Sequence, residues 1–309
     1  MADRRLPRGT DNSGLRLGDL APGTRLGEFV IEDSLGARGS GQLYRATHLV
    51  LPRRATIKVL PAPEGAVRNV AIDLFREACI VDAVDHPGMP RVFECGMLAD
   101  RRPWIATELI EGVTVEHLLE TGRVSITEVI AIVRDVADIL AESHRRGLVH
   151  GSVAPSSIVI PTQPRRFPLC LVDWVAARAH DSTAPLPLVV GGRYVSPEQA
   201  NAIAVTDRSD VYSLGRVARD LLDCVGGDDV SPMFAALLHS MLADARSQRP
   251  TSADVRNTAA WLAEELGPAA SAGPDTDEVA VPSAPITSEI APTVAGEIVN
   301  RSIEPNRES

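Results

Sequence analysis

Residues 148–160 read LVHGSVAPSSIVI. Two apolar residues precede His150, Pro155 stands five positions after it, and a β-branched run closes the segment. Between these landmarks lie Gly151, Ser152, Ala154 and Ser157, where a reactive loop would carry acids and bases. From Ser143 to Val172 there is no Asp or Glu at all. No carboxylate from the local sequence can therefore serve this loop.

The flanking sequence differs on the two sides. Upstream, to about residue 110, short apolar runs divided by turn residues read as strands: EFVIEDSL, then the glycine cluster GARGSG, QLYRATHLV, RATIKVL, PRVFECGML and PWIATELI. One helical pattern interrupts them at AIDLFREACIVDAV, where Ile72, Phe75, Cys79 and Val84 are expected to share a face. From about residue 115 the period becomes helical. Ser125 and Glu128 have capping-box spacing, and Val129, Ile132, Val133, Val136 and Leu140 recur behind them at three- and four-residue steps. DVYSLGRVARDLLD reads as a buried helix, and MFAALLHSML and SADVRNTAAWLAEEL as amphipathic ones. Strands followed by helices argue for an α+β fold with two lobes.

At 309 residues, 44% hydrophobic and 23% charged, the chain can bury a large core. A net charge of −10 disfavours nucleic acid as a partner. Cys79, Cys95, Cys170 and Cys224 form no C-x-x-C pair, so reduced cysteines are expected rather than a metal site. The N-terminus lacks the apolar core of a signal peptide, and no apolar run reaches the roughly 18 residues of a membrane span, so a cytoplasmic location is expected. Residues 1–23 are expected to be flexible. Residues 267–309, without an aromatic and rich in Pro, Ala, Ser, Thr and Glu, are expected to form a disordered acidic tail.

Taken in order, the segments over about residues 24–266 resemble a bacterial Hanks-type serine/threonine protein kinase domain. The resemblance implies a bilobal fold: a small β-rich N-lobe with one helix (24–108) and a larger helical C-lobe (109–266). LGARGSGQLYRA is similar to the glycine loop that covers nucleotide phosphates. It keeps Gly36 and Gly41, puts Arg38 at the middle position, and has Gly39 beside it. Arg38 could contact a phosphate or block the pocket. ATIK resembles the strand motif that supplies a phosphate-pairing lysine, Lys58, and FREA the helix supplying its partner, Glu77. That pair could equally serve only to dock a helix on a sheet. PWIATELIEG is similar to the hinge, with Thr107 as gatekeeper and Glu108 to Ile110 offering backbone groups to an adenine.

The opening stretch resembles the catalytic loop H-R-D-L-K-P-x-N. His150, Pro155 and Ile158 fit. Gly151 replaces the Arg, Ser152 the catalytic base, Ala154 the Lys, and Ser157 the metal-binding Asn. LVDWVAAR resembles the D-F-G region, with Asp173 in place to ligate one magnesium, and Trp174 and Val175 for Phe and Gly. By contrast, the fold-holding positions survive: Glu198 in YVSPEQA, Asp210 in DRSDVYSLG to support the catalytic-loop backbone, and Arg249 in RSQRPTS to pair with Glu198. Gly151 also removes the arginine that would read a phosphate on the activation segment, where Ser182 and Thr183 lie and where Gly191 and Gly192 replace the usual threonine.

The resemblance thus implies a pseudokinase: a protein-binding scaffold or nucleotide-dependent allosteric partner, with ATP and magnesium as candidate ligands. The competing expectation is an active or weakly active serine/threonine kinase with unconventional residues. Expected partners are proteins, an active kinase among them. Exposed threonines Thr276, Thr287 and Thr293 of the tail would suit a phosphothreonine-reading module.

Overall fold

The strand runs of the first third pair into one antiparallel sheet. β1 (Arg25–Leu26), β2 (Phe29–Arg38), β3 (Gly41–His48), β4 (Arg54–Val59), β5 (Val92–Met97) and β6 (Pro103–Glu108) lie in the order β1-β2-β3-β4-β6-β5. The computed structural model describes residues 20–38, 41–62, 78–79, 81–122, 124–174, 178–179, 192–226 and 230–266. Alternation sets the two faces of β4. Ala55 and Ile57 are fully buried against Phe29, Ile31, Tyr44 and Trp104, whereas Thr56 and Lys58 point the other way.

Residues 78–79 and 81–83 are helical. Ala78 and Val81 are buried while Cys79 is exposed. The expected apolar face is therefore rotated: Cys79 faces solvent, and the inward positions are Ala78, Val81 and, just beyond the helix, Val84. The i, i+3 step puts those three on one side. Ile72, Phe75 and Glu77 lie outside the described residues.

The C-terminal part is built on α2 (Ile126–Arg145), capped by the expected Ser125–Glu128 box in both directions. Val129, Ile132, Val133, Val136 and Leu140 all turn inward. They pack with α4 (Asp207–Val225), α5 (Pro232–Met241) and α6 (Ser252–Leu266), while α1 (Val115–Thr121) and the short α3 (Pro197–Ala200) border this core. Val81, Val84 and Met89 belong to this lower core, not to the sheet's. Above α2 sits a three-stranded sheet ordered β10 (Cys170–Leu171), β9 (Ile158–Pro161), β7 (Gly112–Thr114). A separate pair joins β8 (Leu148–Val149) to β11 (Arg178–Ala179). The mixed α+β, β-first architecture follows the sequence pattern. No described helix is long and apolar enough to cross a membrane.

Candidate functional site

A cavity of about 310 Å³ opens between the six-stranded sheet and the β9–β10 ribbon. Its upper wall carries Leu35, Leu43, Thr56 and Lys58, its back Ile105 and Thr107, and its floor Val159 and Val172. Gly41, at the start of β3, permits this closeness: a Cβ there would lie 2.9 Å from Lys58 Cε and 3.0 Å from the Val59 carbonyl. Gly36 sits in β2 beside a register shift, and Gly39 lies outside the described residues.

Lys58 and Asp173 meet across this cavity. Lys58 Nζ donates to Asp173 Oδ1 at 2.5 Å, and both side chains are nearly buried. Asp173 adopts φ +72°, left-handed backbone that Asp tolerates better than most residues. Trp174 turns the opposite way. Its Nε1–H donates to the Leu171 carbonyl at 2.6 Å, and its ring meets His150 edge-on at 4.6 Å. The bulky ring is thereby built into the lower core.

At the hinge, Glu108, Leu109 and Ile110 line the cavity. Two of the three backbone N–H groups are engaged within the protein: Glu108 N donates to Arg91 O at 2.8 Å and Leu109 N to Arg54 O at 3.5 Å. Hinge donation to a ligand therefore falls to Ile110. The Glu108 carboxylate is turned to the outer side, where Arg165 grips it with two bonds of 2.6 and 3.2 Å. The sequence gave no sign of this clamp, because Arg165 sits in an irregular loop 57 positions away.

The catalytic-loop segment has a firm underside. Asp210, fully buried at the start of α4, accepts from His150 N at 2.8 Å and Gly151 N at 2.7 Å, and its Oδ2 lies 2.8 Å from His144 Nε2. His144 Nδ1 in turn meets Ser252 Oγ at 2.8 Å. Gly151 turns the chain at φ +72°, backbone open to glycine without steric cost, and its carbonyl accepts from Gln199 Nε2 at 2.8 Å. Burial holds the His150 imidazole below its usual pKa, against the opposing field of Asp210. Its Nδ1 accepts from Ser152 N at 3.2 Å and its Nε2–H points at Val172 O, an arrangement of neutral histidine.

The upper side of the loop is chemically bare. Ser157, at the metal-ligand position, is buried, and its hydroxyl closes on its own turn: it donates to Ala154 O at 2.8 Å and accepts from Ala154 N at 3.1 Å. Ala154 offers a methyl group where the lysine would stand. Ser152 is half-buried and presents a hydroxyl where the base would stand.

Beneath the site, Arg249 and Glu198 form the expected pair. Two parallel bonds of 2.7 and 2.9 Å join them, and Ser209 Oγ adds a third bond to Glu198 at 2.6 Å. Arg249 also donates to the carbonyls of Ala243, Arg208 and Asp244, and lies over the Tyr212 ring. Burial pushes the Glu198 carboxyl up, but its bonds to Arg249 and Ser209 outweigh that and hold it below the usual range. Val175, Ser182, Thr183, Gly191 and the tail threonines lie outside the described residues.

The protein kinase domain model matches residues 29–225. Among curated relatives, the serine/threonine-protein kinase pkn2 of Myxococcus xanthus is 31% identical over 204 residues, covering 63% of this chain and 24% of that protein. The serine/threonine-protein kinase PknB of Mycobacterium leprae is 33% identical over 202 residues, covering 63% and 32%. The matched region thus spans a quarter to a third of these relatives. Among solved structures, the Mycobacterium tuberculosis PknI kinase domain superposes with a TM-score of 0.61 at 24% identity, covering 79% of this chain and 99% of that one. A second structure of that domain gives 0.60 at 25% identity, covering 81% and 100%. The match over residues 29–225 spans more than half of the chain, and the β-rich first part and helical second part accord with it: the chain belongs to the protein kinase domain family.

Proposed function

We propose that this chain is a pseudokinase: a kinase-fold protein that has lost phosphoryl transfer and acts by binding protein partners in phospho-signalling, with its cleft as an allosteric handle. The catalytic loop carries the proposal. A serine hydroxyl at position 152 does not accept a proton near neutral pH, and losing a general base typically costs about 10²–10⁴-fold in rate. The missing lysine removes further stabilisation of developing charge. Against this, the Asp210 and Glu198–Arg249 networks are intact, as expected of a fold maintained for something other than chemistry.

Protein kinases use ATP with magnesium, and the cleft suits the two unequally. The apolar walls and the Ile110 backbone suit the base of a nucleotide. The metal's ligands do not fit: the Ser157 hydroxyl is closed on Ala154, and Asp173 is held by Lys58.

The competing reading, a weakly active kinase, draws support from Lys58 and Asp173 facing the cleft together. Incubating the protein and a Lys58→Ala control with labelled ATP, magnesium or manganese, and a general acceptor protein separates the two. We expect no Lys58-dependent label; its appearance would sink the pseudokinase reading. The partner surface is assigned to the folded domain or to the tail threonines by deleting residues 267–309. Partner capture that disappears with the deletion gives the role to the tail.

A further inference from the structure

The cleft holds a cation and an anion that are already each other's partner. Lys58 and Asp173 are in direct contact at 2.5 Å, with side-chain exposures of 7% and 12%. Their charges cancel, and among the described residues no other Lys or Arg side chain lines the cavity. A kinase cleft that receives ATP must instead offer a surplus of positive charge, supplied by lysines and metal ions, against a ligand carrying about four negative charges. Here Ala154 supplies none, and Ser157 has no oxygen turned outward for a metal.

The remaining lining is apolar with a few polar points. Leu35, Ile105 and Val159 contribute hydrocarbon surface. Thr56 and Thr107, paired directly across β4 and β6, bring two hydroxyl-bearing side chains to the same end, and Thr107 Oγ1 is already spoken for by the Thr56 carbonyl at 3.4 Å. At about 310 Å³ the cavity is near the lower end of the roughly 300–1,000 Å³ usual for small-molecule sites. It is large enough for a flat base and its sugar.

From these observations we infer that the cleft is a site for a neutral, flat heteroaromatic ligand of nucleoside size, bound without a divalent cation, and that Asp173 serves as the internal counter-ion of Lys58 rather than as a metal ligand. The inference rests on the pseudokinase reading and deepens it by naming the ligand class. A polyphosphate entering this cleft must pull Lys58 away from Asp173 and then face the exposed carboxylate with no metal between them. Phosphates therefore weaken binding, the reverse of what a metal-assisted site would do.

Calorimetric titration of the full chain with adenosine, ADP and ATP, each in excess EDTA and in excess magnesium, tests this. Adenosine is expected to bind, ATP at least tenfold more weakly, and magnesium to change neither by more than about twofold. Asp173→Asn, which frees Lys58 for phosphate, should raise the ATP-to-adenosine affinity ratio about tenfold. A magnesium-dependent gain of tenfold or more for ATP would overturn the inference, as would failure of adenosine to bind at millimolar concentration. A fall of the ratio in the Asn variant would do the same. The wild-type titrations decide the matter even if that variant misfolds. Absence of adenosine binding leaves the pseudokinase reading standing, since that reading falls only with Lys58-dependent label transfer.

Discussion

Two buried ion pairs, Lys58–Asp173 in the cleft and Arg249–Glu198 below it, have similar separations and different surroundings. Arg249 makes five hydrogen bonds, two of them to Glu198 and three to backbone carbonyls, and Glu198 has Ser209 besides. Lys58 and Asp173 share one contact at the edge of a cavity. A charge pair offsets its desolvation only when its other donors and acceptors are also satisfied. The lower pair meets that condition and is structural. Among the described residues the upper pair makes only this one bond, so a ligand entering the cavity can exchange its partner.

The comparison breaks most visibly when one partner is removed. Glu198→Ala leaves a guanidinium buried without its carboxylate, and should cost about 3–5 kcal/mol. In a domain of this size that is a fall in Tm of roughly 10 °C, read by thermal unfolding. Lys58→Met leaves Asp173 beside a cavity that water can enter, and should cost less than half as much. Equal losses at the two pairs would refute the distinction drawn between them.

Acid should act on the loop at His150 before it reaches the lower pair. Glu198 has a lowered pKa in the folded state, so its contribution is present above pH 4.5 and lost as the pH falls through the folded value. His150 is also lowered, by burial, so native stability is whole above pH 6.5 and declines below it as the unfolded chain takes up the proton. Denaturant midpoints should therefore begin to fall near pH 6.5 and fall further below 4.5, by up to about 1.4 kcal/mol per pH unit for each proton. In alkali, Tyr194, pushed up to about 12 by burial and its bond to Asp220, contributes stability that is whole below pH 10 and lost as the pH rises towards 12.

Smaller effects sharpen the contrast. Arg165→Ala removes a partly exposed clamp on Glu108 and should cost about 1 kcal/mol or less. Ser152→Ala, at the position where a working kinase keeps its base, should change stability by no more than about 0.5 kcal/mol and leave partner capture intact. A large loss in the Ser152 variant would mean that this hydroxyl has a role that the pseudokinase reading does not give it.

The fold was legible because its determinants are local and ordered. The strand runs and the Ser125 capping box can be read from spacing, whereas Glu198, Asp210 and Arg249 are identified through the resemblance to the kinase family. The direction in which side chains turn was not. Ser157 was legible as a substitution, but its inward hydroxyl depends on the turn at Pro155–Ser157, which a residue identity does not specify. Cys79 was misassigned because a cysteine reads as apolar wherever it sits, whereas Ala78 beside it takes the buried place. The Arg165–Glu108 and Gln199–Gly151 contacts join segments 57 and 48 positions apart and carry no periodic signal. The Ser196–Gln199 capping box is absent from the sequence reading, although its spacing is the signal that could have found it.

The loop of residues 150–157 has its shape imposed from outside, by Asp210 below and Gln199 alongside. Neither support depends on the identities at positions 152 and 154. Substitutions at those positions therefore carry little risk to folding. The same independence makes the two positions places where new side chains can be grafted onto an already rigid frame.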